Sequence, residues 1–84
     1  MNWIVIVDSY AKKFLKRMPR HDVERVRAAL QELIYNPYAG DIEKMEGRDA
    51  WRRRVGNYRI FYEIHEKRLL IYVFEIKRRT SNTY

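Results

Sequence analysis

The sequence contains no cysteine. That excludes a disulfide framework and any metal or catalytic site built on a thiolate, and it suits a reducing compartment. Histidine is nearly as scarce: His21 and His65 are the only two. His21 flanks the start of a helical pattern and His65 the end of a strand pattern, so neither a catalytic histidine pair nor a metal-ligand spacing can be read. Long apolar runs are missing too. Met1 to Val7 is apolar-rich but stops at Asp8 and has no basic leader, which is too short for a signal peptide or a membrane span. A cytoplasmic location is the expectation. There is no repeat, linker or low-complexity stretch, and 84 residues leave room for one domain, 1–84.

Acidic residues are also in deficit. Eleven Asp and Glu face eighteen Lys and Arg, for a net charge of +7. Such an excess favours a polyanionic partner, whether RNA, DNA or an acidic protein. A membrane surface fits less well, because no helix joins a basic face to a bulky apolar one. With 46% apolar residues, among them seven Tyr, three Phe and two Trp, the chain has material for one core.

The order of elements follows from periodicity. Trp3 to Val7 reads as a buried strand, rich in β-branched and aromatic residues. Asp8 or Ser9 offers a helix cap, and Ala11, Phe14, Leu15 and Met18 then fall on one helical face until Pro19 interrupts it. A second helix is expected over His21 to Tyr35, with Val23, Val26, Leu30, Leu33 and Ile34 on its apolar stripe, ending at Asn36-Pro37. Pro37 to Asp49 is a polar connector that has one short strand candidate, Ile42 to Met45. Ala50 to Val55, Tyr58 to His65 and Leu69 to Lys77 read as strands, with Gly56-Asn57 and Glu66-Lys67-Arg68 as turns. Consecutive strands with short turns form an antiparallel meander. The expected architecture is α+β: two N-terminal helices packed on one face of a twisted antiparallel sheet, in the order strand, helix, helix, then three or four strands.

The cations cluster. Trp51 to Tyr62 holds four arginines and no acid, and Lys77 to Tyr84 holds three cations and no acid. Alternation puts Arg52 and Arg54 on one face of their strand, and the exit of the last strand brings Lys77 and Arg78 beside them. A concave cationic surface bordered by Tyr58, Tyr62 and Tyr84 would result. Arginine forks bind phosphate in a bidentate way, and interleaved aromatics let unpaired bases stack, so the pattern suits single-stranded RNA. Plainer roles compete: Trp51, Tyr58 and Tyr62 as packing residues, Arg53 as a solvated charge opposite Arg52 and Arg54, and Lys12, Lys13, Lys16 and Arg17 as a solvated helix face.

The segment Arg54-Val55-Gly56-Asn57-Tyr58-Arg59-Ile60-Phe61-Tyr62-Glu63-Ile64 resembles the R-V-G-x-Y-R-hydrophobic-x-Y-x-hydrophobic core of the RelE/ParE toxin superfamily. Leu15 to Pro19, Asn36-Pro37-Tyr38 and Lys44 to Gly47 agree in order along the chain. The resemblance implies the toxin of a type II toxin–antitoxin pair, with a cognate acidic antitoxin as partner. Its RelE-like branch implies an endoribonuclease that cuts messenger RNA in the ribosomal A site through attack of the 2′-hydroxyl on the adjacent phosphate, with no metal or cofactor. By that resemblance Arg59, Arg78 and Tyr84 are catalytic, and Arg52, Arg54, Lys77 and Arg79 bind RNA. Arg78 and Arg79 compete for the last-strand role. Arginine replaces the lysine of some relatives at positions 52 and 54, which keeps the charge but gives up a group whose pKa can be depressed. A ParE-like, non-nucleolytic inhibitor of DNA gyrase and a non-catalytic nucleic-acid-binding module are the alternatives.

Overall fold

The strands form where β-branched and aromatic residues alternate, and their order places the cationic segments. The computed structural model describes residues 2–79. β1 spans Ile4–Val7, β2 Ile42–Lys44, β3 Trp51–Val55, β4 Tyr58–His65 and β5 Leu70–Arg78. They lie in one sheet in the order β1-β5-β4-β3-β2. β2 to β5 make the expected antiparallel meander, while β1 joins β5 in parallel, so the sheet as a whole is mixed. A parallel partner needs a long crossover. The two helices supply it by carrying the chain from β1 across to β2 at the far edge.

Helix α1 covers Ser9–Arg17 and α2 covers Arg20–Tyr35. Asp8 caps α1 by accepting the Tyr10 amide at 3.0 Å. Pro19 ends the first helical face and also begins the second helix: its carbonyl accepts the amides of Asp22 and Val23, so α2 starts one residue earlier than the pattern predicts. Asn36 closes α2 in an extended conformation, as the following proline requires. Among the described residues no helix is long and apolar enough to cross a membrane.

Both helices lie on the same face of the sheet. Ala11, Met18, Val26, Ala29 and Leu33 pack on Tyr58, Ile60, Tyr62, Ile71, Val73 and Ile76. Tyr58 and Tyr62 are therefore core residues; the Tyr62 hydroxyl donates to the Pro37 carbonyl at 3.0 Å. The inward residues of β5 step from Val73 to Ile76, a spacing of three that simple alternation cannot place on one face. A bulge resolves it: Phe61 pairs with Glu75 and Tyr62 with Val73, which leaves Phe74 as the extra residue.

Arg53 departs from the reading as a solvated charge. It points away from Arg52 and Arg54 as alternation demands, but that side is covered by α2, and the side chain is 8% exposed. Its guanidinium donates to the Ala29 carbonyl at 3.4 Å and pairs with the Glu32 carboxylate. Gly40, at φ +87°, makes room: a Cβ there would stand 2.7 Å from Arg53 Nε. The sequence pattern shows which way Arg53 points, but not that a helix lies over it.

Two predictions follow from these contacts. Glu32→Ala strands a buried guanidinium and is expected to cost about 1–3 kcal/mol, whereas Arg53→Met, which removes the charge with its partner's task, costs less. Urea unfolding of the two variants checks this, and equal midpoints would refute it. Asp8 accepts the Tyr72 hydroxyl at 2.7 Å as well as the Tyr10 amide, and these bonds hold its carboxyl below the ordinary 3.8. A group depressed on folding stabilises the protein above its unfolded pKa and loses that contribution as pH falls through the folded one. Thermal unfolding from about pH 5 to about pH 3 should therefore show a steeper loss in the parent than in Asp8→Asn.

Candidate nucleic-acid interface

The face of the sheet turned away from the helices carries the candidate site. β3 pairs with β4 so that Arg54 lies opposite Arg59 and Arg52 opposite Phe61; β4 pairs with β5 so that Arg59 lies opposite Lys77 and Phe61 opposite Glu75. On the other flank, β2 sets Glu43 opposite Arg52, and the Asp41 carbonyl accepts the Arg54 amide at 2.9 Å. Two rows of side chains thus cross the sheet. One runs Asp41, Arg54, Arg59, Lys77, three cations against one acid. The other runs Glu43, Arg52, Phe61, Glu75, one cation between two acids and beside a phenylalanine.

Between β2, β3 and β4 the rows enclose a hollow of about 120 Å³ lined by Asp41, Glu43, Arg52, Arg54 and Arg59. Arg52 is engaged: its Nε and Nη2 donate to Glu43 Oε1 at 3.1 and 2.8 Å. At the far side, the Lys77 ammonium stands 5.8 Å from the Phe61 ring and 3.7 Å from the Glu75 carboxylate. Arg52, Arg54, Arg59 and Lys77, which belong to segments far apart in the chain, share this one face.

Arg78 does not join them. It pairs with Tyr58 and so lies on the helix side, its guanidinium 5.9 Å from the Tyr58 ring. Burial, followed by the hydrogen bond to Asp22 at 2.8 Å, raises the Tyr58 pKa. Burial likewise pushes Tyr62 up to about 12. Neither tyrosine is available as a base or as a stacking platform. Arg79 follows the strand and donates its amide to the Asn57 carbonyl at 2.6 Å. Tyr84 lies outside the described residues.

The sequence reading missed the carboxylates. Asp41, Glu43 and Glu75, which lie outside the two acid-free segments, share this face with the arginines. A signal was present: Asp41-Ile42-Glu43 alternates about Ile42, and pairing this short strand with the three arginines sets both acids across from Arg52 and Arg54. Lys12, Lys13, Lys16 and Arg17 are exposed on α1, as a solvated face should be, and Tyr10, Lys13, Phe14 and Arg17 line a separate hollow there. His21 lies 3.2 Å from Asp22 and His65 2.9 Å from Glu63, both outside the open-face hollow. No group of three His, Cys, Asp or Glu placed to hold a metal occurs among the described residues.

A family model describing the ParE toxin of the type II toxin–antitoxin system parDE matches residues 5–83. The chain belongs to the RelE/ParE toxin family. The backbone of this RelE/ParE toxin is similar to that of RelE in the archaeal RelE–RelB complex from Pyrococcus horikoshii OT3, with 27% identity, a TM-score of 0.86, and coverage of 98% of this chain and 100% of that one. It is also similar to a chain of the toxin–antitoxin complex RelBE2 from Mycobacterium tuberculosis, at 18% identity and a TM-score of 0.83, covering 94% of this chain and 100% of that one. The isolated E. coli RelE toxin matches at 17% identity and a TM-score of 0.82, over 95% of this chain and 87% of that one. No curated protein sequence matches the chain. The family and fold expected from the sequence are the ones observed, and the chain is a type II toxin of this superfamily.

Proposed function

We propose that this toxin is a metal-independent endoribonuclease that cuts messenger RNA, in the ribosomal A site, and is neutralised by a cognate acidic antitoxin. One observation carries the reading: Arg54, Arg59 and Lys77 stand side by side across three strands, at the edge of a polar hollow lined by Arg54 and Arg59. Spacing of this kind suits successive phosphates of a single strand. The 2′-hydroxyl loses its proton to solvent and attacks the adjacent phosphorus, negative charge builds on the non-bridging oxygens, and the bond to the 5′-oxygen breaks as that oxygen takes a proton from solvent, leaving a 2′,3′-cyclic phosphate. Arg59, at the centre of the row, meets that charge. Arg54 holds the flanking phosphate beside it. Arg78, Arg79 and Tyr84 enter this reading through the resemblance; the Arg78 guanidinium rests 5.9 Å from the Tyr58 ring on the helix side, and Tyr84 lies outside the described residues. The solved complexes of RelE-type relatives with RelB antitoxins, from P. horikoshii and M. tuberculosis, support the partner.

The match to the ParE model favours one second reading, a non-nucleolytic inhibitor of DNA gyrase. Mapping of messenger RNA 5′ ends after induction separates the two. New ends within translated codons support cleavage; intact messenger RNA together with a DNA-damage response supports gyrase inhibition. Losing one preorganised charge donor typically costs about 2.7–4 kcal/mol, roughly a hundredfold or more in rate. Arg59→Ala and Arg78→Ala should each lose that much cleavage on ribosome-bound messenger RNA, and Tyr84→Phe should lose activity too. Full activity of Arg59→Ala would remove the proposed site.

A further inference from the structure

The open face holds a cation that its own neighbour already occupies. Glu43 and Arg52 are direct cross-strand partners, and both the Nε and Nη2 of Arg52 point at a single Glu43 oxygen, at 3.1 and 2.8 Å. Asp41 and Glu43 both line the hollow from β2, the edge strand of the sheet. A phosphate that reaches Arg52 therefore meets the Glu43 carboxylate on the same guanidinium edge and the Asp41 carboxylate beside it. The row of Arg54, Arg59 and Lys77 has Asp41 at its β2 end and Glu75 at 3.7 Å from the Lys77 ammonium, and neither Arg54 nor Arg59 is in an ion pair among the described residues. The row of Arg52 is flanked by Glu43 and Glu75. Like charges at this range disfavour a second anion, while the adjacent row offers three cations in sequence.

We propose that Glu43 withholds Arg52 from RNA, so that β2 is the negative border of the interface and the RNA backbone runs along Arg54, Arg59 and Lys77. This rests on the RNA-binding reading above and deepens it: Glu43 becomes a specificity-determining residue that limits how many phosphates the face engages and where the strand leaves it. The sequence alone suggests the opposite for Arg52, because nothing in the 51–62 segment supplies an acid.

Salt dependence counts phosphate contacts. Each phosphate neutralised on a single strand contributes about 0.7 to the slope of log affinity against log salt concentration. The probe is a fluorescein-labelled, 2′-O-methyl single-stranded oligonucleotide, which binds without being cut, titrated with the full chain over a range of salt. Arg54→Ala and Arg59→Ala should each lower the slope by about 0.7, and Arg52→Ala should leave it unchanged. Glu43→Gln should tighten binding and raise the slope by about 0.7, and the double variant Glu43→Gln, Arg52→Ala should restore the parent slope. Glu24→Gln, on the exposed face of α2, changes net charge equally and should leave the slope unaltered. The inference fails if Arg52→Ala lowers the slope as Arg54→Ala does, or if Glu24→Gln matches Glu43→Gln. Parent binding that depends on Arg54 and Arg59 but ignores Glu43 sinks this inference alone. A parent chain that does not bind the oligonucleotide at all sinks the RNA-binding reading with it.

Discussion

Burial of Ile60, Tyr62 and Val73 beneath the two helices fixes the register of β4 between its neighbours, and the register decides which side every arginine faces. Side chains on a strand repeat every second residue, so a slip of one position would exchange the two faces completely. In this chain such a slip of β4 would turn Arg59 toward the helices and expose Ile60 and Tyr62, and the same slip of β3 would turn Arg52 and Arg54 inward. The cost of burying three guanidinium groups with few partners is far larger than any gain on the surface. Hydrophobic packing on one face is thus what assembles the charge on the other. The bulge at Phe74 serves the same end, since it lets both Val73 and Ile76 face the core while Lys77 stays beside Arg59.

Arg53 shows how closely this rule is applied. Three arginines in succession cannot all face solvent on a strand, and the middle one must be accommodated inside. Glu32, the Ala29 carbonyl and the empty space above Gly40 provide for it. The two outer arginines then emerge on the open face with their strand pinned to α2 from behind. A lysine at the same place would present a point charge without the planar fork that reaches both the carbonyl and the carboxylate.

Most of the architecture was legible from pattern. Helical spacing in Ala11, Phe14, Leu15 and Met18, and alternation in the three long strands, depend on local chemistry that the sequence displays directly. The site was legible in part. Which of Arg52, Arg53 and Arg54 share a face follows from alternation alone. Three features were not. The cover over Arg53 depends on which sheet face the helices choose, and sequence period does not say. The side on which Arg78 emerges depends on a bulge four residues earlier, at Phe74. The acids Asp41 and Glu43 reach the arginines only through the pairing of a three-residue edge strand, whose register no local signal fixes.

The composition of the hollow bears on what chemistry it favours. Arginine stays protonated under all ordinary conditions and cannot take up the 2′-hydroxyl proton, and the two core tyrosines of β4 are shifted further from neutrality by burial. Among the described residues, the other side chains lining the hollow are the carboxylates of Asp41 and Glu43. A surface of this kind stabilises developing charge far better than it moves protons. In the proposed cleavage the rate would come mainly from how well the attacking oxygen, the phosphorus and the leaving oxygen are aligned, since alignment of reacting groups can supply a large part of a barrier. A small rigid sheet holds phosphates but does not by itself bend a flexible strand into line. Under the proposed cleavage, such a site would gain most from RNA already held in a fixed path, as a ribosome-bound message is and a free strand is not.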